Sequence, residues 1–105
     1  MKRKGKTYVV VTNDGLAHQN VFLTWNADYG YFTTVDYIDE VGEFDFHDTI
    51  ASAIDRARDA DSGTWGGWQD PMTVYEVLNF DEAYNQGEEP ELVKAHDISL
   101  SRVNI

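Results

Sequence analysis

The chain contains no cysteine. That excludes disulfides, thiol nucleophiles and the usual structural zinc sites, and leaves the compartment open while tilting it toward the cytosol. Long apolar runs are also missing, the longest, such as Tyr8 to Val11, being about four residues. No transmembrane helix is expected, and the basic start MKRKGK is not followed by the apolar stretch of a secretory signal.

Basic residues are scarce and clustered. Lys2, Arg3, Lys4 and Lys6 supply half of the eight Lys and Arg, whereas all 19 Asp and Glu follow them, so residues 7–105 hold four bases against 19 acids, a net −15. Seven carboxylates lie from Asp28 to Asp48 and nine from Asp59 to Glu91, with no Lys or Arg inside either stretch. Phosphate contacts need clustered Lys and Arg, so the folded body is not expected to bind nucleic acid directly. A protein partner with a basic surface is favoured instead.

Catalytic signatures are missing too: there is no G-x-S-x-G elbow, no G-x-x-x-x-G-K phosphate loop and no H-E-x-x-H. Paired carboxylates select nothing in so acidic a chain, and the sequence does not read as an enzyme. His18, His47 and His96 are scattered without zinc spacing. Oxygen ligands are dense over Asp36, Asp39, Glu40, Glu43, Asp45, His47 and Asp48, but they do not match the calcium-loop pattern, and Asp45 and Asp48 read more simply as helix-terminal groups. No metal or cofactor is expected.

With 42% hydrophobic and 26% charged residues, the composition is that of a globular domain rather than a disordered chain. A chain of this size buries roughly 65% of its unfolded surface, enough for one modest core. The expected organisation is a flexible basic arm over 1–6 and a single domain over 7–105.

Thr7 to Asn13 is β-branched and aromatic and ends in Asn13-Asp14-Gly15 turn chemistry, predicting a first strand. Val21 to Trp25 and Tyr31 to Tyr37 predict a hairpin apolar on both faces, one face packing on a helix and the other either exposed or covered by the C-terminal segment. Trp25, sharing a strand face with Val21 and Leu23, reads as core. A helix is predicted from an Asp45 N-cap, with Asp48 completing a capping box, to Asp61-Ser62-Gly63; its apolar stripe is Phe46, Ile50, Ala53, Ile54 and Ala57. Met72 to Leu78 reads as a strand, Asn79 to Glu82 as a short helical turn ended by Gly87, Glu88 to Glu91 as a solvated acidic loop, and Asp97 to Val103 as a last strand. The fold class is α+β, a mostly antiparallel sheet of four or five strands with one main helix on a face.

The succession of Tyr8 to Val11, Val21 to Trp25, Gly30-Tyr31, Phe44 to Asp48 (FDFHD) and Val74 to Val77 (VYEV) resembles small phage-encoded proteins of unknown function, over roughly residues 7–78. The resemblance implies a mobile-element origin and no particular chemistry. In composition alone the chain is also similar to small acidic phage inhibitors of restriction or CRISPR effectors, which present carboxylates in place of a nucleic acid.

Two functional readings follow. In the first, an acidic accessory or inhibitor protein occludes a basic surface, nucleic-acid mimicry being one form of this. Its candidate contacts are Asp36, Asp39, Glu40 and Glu43 before the helix, and Asp48, Asp55 and Asp59 on it. Asp55 and Asp59, one turn apart, repel by a few tenths of a kcal/mol, a cost that a sequence selected for stability alone avoids. Trp65 and Trp68, in a glycine-rich loop, either contact a partner or fold back over the sheet. In the second reading a small ligand binds that loop or an aromatic sheet face of Tyr8, Phe22, Tyr31, Phe32 and Tyr37.

Overall fold

β-Branched and aromatic residues crowd the strands, as expected of half-buried pleated segments. The computed structural model describes residues 3, 5–13 and 20–99. The strands are β1 (Tyr8–Asn13), β2 (Asn20–Asn26), β3 (Tyr31–Val35), β4 (Met72–Val77) and β5 (Leu92–Ile98). They form one sheet in the order β3-β2-β1-β4-β5, every neighbouring pair antiparallel. The helices are α1 (Ile50–Gly63) and α2 (Phe80–Gln86), and two short 3-10 turns cover Ile38–Glu40 and Glu43–Asp45. The protein is thus α+β with one main helix. Among the described residues no helix is long and apolar enough to cross a membrane. The turn residues 14–15, His18, Lys2, Lys4 and the 100–103 part of the expected last strand lie outside the described residues.

Strand alternation divides the core into two layers. Tyr8, Val10, Leu23, Met72 and Val74 face α1, where Ala53, Ala57 and Ala60 are fully buried. Three alanines at helical spacing let the α1 backbone lie close to the sheet. Val9, Val11, Phe22 and Val77 point to the opposite face and meet Ile38, Val41, Phe46, Phe80 and Ala83. Among the described residues that face is covered by α2 and the 38–46 segment, with Leu92 of β5 at its side, and is not left aromatic and exposed. Its centre is an aromatic cluster: Phe46 lies edge-on to Phe80 (4.8 Å) and Tyr84 (5.6 Å).

The main correction concerns where α1 starts. Asp45 is not its N-cap; Thr49 is, in extended conformation, its hydroxyl accepting the Ser52 N–H at 3.1 Å. Residues 45–47 instead wedge between β1 and β2. Those strands pair only at Val11–Phe22, Thr12–Val21 and Asn13–Asn20, and toward Tyr8 and Trp25 the edges are bridged by the wedge. Tyr8 and His47 exchange both backbone hydrogen bonds, at 2.8 and 2.9 Å. On the β2 side the Asp45 carboxylate accepts the Trp25 N–H at 2.8 Å and the Thr24 hydroxyl at 3.0 Å. The wedge alternates like a strand: Asp45 meets Arg56 of α1, Phe46 enters the α2 layer, and His47 meets Ser52 of α1. Capping propensity at Asp45 yields to this tertiary arrangement. Phe46 is core as expected, but on the other side of the sheet from α1.

His47 gives a pH prediction. Its Nδ1 lies 3.0 Å from the Ser52 hydroxyl, while the buried Nε2 has no hydrogen-bond partner among the described residues. Burial pushes its pKa below the ordinary imidazole value of 6.5, aided by the Arg56 and Arg3 charges and opposed by Asp45 and Asp48. The unfolded chain therefore binds the proton more readily than the native state. His47 leaves stability at its plateau above 6.5, and stability falls as pH drops below that value toward the lowered native one. The slope there is at most about 1.4 kcal/mol per pH unit. His47→Asn, which keeps a polar atom near the Nδ1 position, is expected to flatten the urea-unfolding profile between about pH 7.5 and 5.5. Parallel profiles for the two proteins would refute this role.

Candidate acidic groove

A groove of about 850 Å³ opens on the α2 side of the sheet. Phe22, Ile38 and Ala83, all buried, form its floor, with half-buried Leu92 and Pro90 at one side and exposed Tyr37 among its lining. Asp36, Asp39 and Glu40 line it from the 3-10 turn Ile38–Glu40 and the residues just before it, and Glu88 and Glu89 from the loop after α2, with no Lys or Arg of the described residues in the lining. The two acidic groups are far apart in sequence and meet only through the fold.

Local structure places both. In the 3-10 turn Ile38–Glu40, the buried Ile38 and the following Val41 anchor the segment in the core and leave Asp39 and Glu40 outside. The opposite loop begins at Gly87, whose left-handed φ of 72° ends α2 as the sequence predicts. Asn79 then clamps the loop: its Nδ2 donates to the Glu89 carbonyl (3.0 Å) and its Oδ1 accepts the Glu91 N–H (2.7 Å). Leu78 N–H adds a bond to the Glu91 carbonyl at 2.9 Å. Because α2 ends at the groove, its partial negative charge reinforces the carboxylates.

The remaining expected contacts do not join this site. Glu43 is exposed but is not among the groove residues. Asp48 pairs with Arg3, which also donates from Nε to the Thr7 hydroxyl (3.0 Å) and lies 6.0 Å from the Phe80 ring. Asp55 and Asp59 are exposed on α1, on the other side of the sheet. Of the seven expected acidic contacts, Asp36, Asp39 and Glu40 line the groove, Asp55 and Asp59 lie on α1, and Glu43 and Asp48 belong to neither group. Glu88 and Glu89 were missed as contacts because a solvated acidic loop gives no sign of which distant segment it faces. Among the described residues no group of three or more His, Asp or Glu side chains is placed to hold a metal ion.

The tryptophans separate by role. Trp68 packs against the α1-side core, its backbone N–H bonding to Asp61 Oδ1 (2.8 Å) and its indole N–H to the Thr12 hydroxyl (3.3 Å). Trp65 is 99% exposed. Gly66 and Gly67 between them adopt φ of 79° and 83°, backbone that a side chain would strain, and this double turn sends the rings different ways. Trp25 is not core: it is 41% exposed and packs edge-on against Phe32 at 4.9 Å. The aromatic sheet face also breaks up, since Tyr8 and Phe32 belong to the α1 side and Phe22 to the α2 side.

Comparison with protein-family models, curated proteins and solved structures finds no match to this chain.

Proposed function

We propose that the chain is an acidic accessory or inhibitor protein, of the phage or mobile-element type its sequence resembles, that acts in the host cytoplasm by occluding a basic surface on another protein. The observation carrying this reading is the groove, where five carboxylates from two distant segments surround an apolar floor, with no basic residue among the described residues that line it. Like-charge convergence costs stability, and its return is attraction for a cationic surface. The body does no chemistry in this reading and contacts no nucleic acid. Mimicry of nucleic acid is the narrower form, in which the occluded surface is itself a phosphate-binding one.

The test is capture from bacterial lysate at two salt concentrations, with and without excess duplex DNA, by wild type and by Asp36→Asn/Asp39→Asn/Glu40→Gln/Glu88→Gln/Glu89→Gln. The expected result is a partner held by wild type, released by salt and absent from the variant. Release by DNA as well identifies the mimic form. A partner retained by the variant at full yield refutes the groove as the contact. An empty lane moves weight to the small-ligand reading, which has exposed Trp65 on its side.

A further inference from the structure

We infer that the groove recognises a linear basic segment carrying an apolar anchor, rather than a flat cationic surface. This rests on the proposed function and narrows it to a class of ligand. A surface that only imitates the charge of a nucleic acid needs exposed carboxylates and has no use for a hydrophobic recess. Here the carboxylates stand at the margin of a recess floored by Phe22, Ile38 and Ala83 and flanked by Leu92. The floor desolvates one aliphatic side chain of a partner while the carboxylates engage Lys or Arg on either side of it. Binding energy then comes from the buried anchor, and specificity and encounter rate come from the charges. A space of about 850 Å³ holds a side chain and its flanking backbone, not a folded domain.

The charge of the site selects the occupant. Asp36, Asp39, Glu40, Glu88 and Glu89 repel acidic peptides and phosphorylated segments alike, and the C-terminal end of α2 adds the same sign. The wall is also preset. Asn79, at the start of α2, holds the Glu89 side of the loop, so less ordering accompanies binding than for a free loop.

Two synthetic peptides of about twelve residues test this, each with Lys and Arg flanking a central pair that is Leu-Leu in one and Ser-Ser in the other. Affinities are measured by fluorescence anisotropy on the whole protein. The Leu peptide is expected to bind wild type about ten-fold tighter than the Ser peptide of equal charge. Asp39→Asn/Glu40→Gln/Glu88→Gln is expected to weaken both by about ten-fold or more, and Leu92→Ser to erase only the Leu advantage. Should Leu92→Ser lose stability, the peptide pair on wild type still decides the question. Equal affinities of the two peptides for wild type, or Asp55→Asn/Asp59→Asn weakening binding as much as the groove variant, would overturn the groove and leave the basic-surface reading standing. Failure of both peptides to bind would also overturn it, the wider reading then being judged by the capture experiment.

Discussion

Replacing Asp45 with alanine is expected to lower the free energy of unfolding by about 3–5 kcal/mol, the cost of breaking a buried ion pair by removing one partner. The carboxylate is 3% exposed and accepts from Arg56 Nε at 2.7 Å, the Trp25 N–H at 2.8 Å and the Thr24 hydroxyl at 3.0 Å. Alanine leaves the two β2 donors without their acceptor and Arg56 without its anion, apart from its stacking over Phe32 at 4.8 Å. Arg56 is 27% exposed, so water reaches the guanidinium and the loss should lie near the lower end of the range. Asp45→Asn keeps an acceptor for β2 and is expected to cost about half as much. Urea unfolding decides, and a loss under about 1 kcal/mol for alanine would remove Asp45 from this role. Against a typical total of about 5–15 kcal/mol, the expected loss is large enough to unfold part of the population at physiological temperature.

Phe46→Ala is expected to cost a similar amount, about 3–5 kcal/mol, by a different route. The ring is buried and sits edge-on to Phe80 and Tyr84, so its removal leaves a cavity between the sheet and α2. A helix of seven residues has little stability of its own and depends on that packing. Since Ala83 and Gly87 of this region line the groove, the folded fraction of Phe46→Ala should also lose about ten-fold in affinity for the basic peptide with the leucine anchor. Asp45→Ala, whose ion pair lies on the α1 side, should leave the affinity of its folded fraction unchanged. Equal effects of the two on binding would show that the wedge is not divided between the layers in this way.

The contrast between these neighbours shows where the sequence was legible. The first four strands follow alternation and turn chemistry and lie within about two residues of their expected limits. Gly87 ends α2 because a left-handed residue is needed there, a local requirement visible in the sequence. The 45–48 segment misleads because Asp45 with Asp48, and Thr49 with Ser52, offer competing helix starts. The choice is made by Arg56, Trp25 and the Phe80 ring, far away along the chain. The last strand begins at Leu92, five residues before the expected start, because the pairing with β4 shifts register between Val74 and Tyr75. The bulge turns Leu92 toward the α2 layer and Ile98 toward α1, and so erases the period of two. The candidate site was half legible: Asp36, Asp39 and Glu40 were expected contacts, while their meeting with Glu88 and Glu89 is a property of the sheet order.

That same order bears on synthesis. β1 is central, yet its second neighbour is β4: Tyr8 pairs with Glu76 and Thr12 with Met72. The uncharged, β-rich segment Tyr8 to Thr12 therefore leaves the ribosome well before the strand that covers its edge. At about 5–20 residues per second the interval lasts several seconds. During it the nascent chain offers an open edge of the kind that recruits other strands. The first acidic stretch, Asp28 to Asp48, emerges within that interval. Like charge carried on that stretch disfavours strand pairing between neighbouring nascent chains before β4 is made.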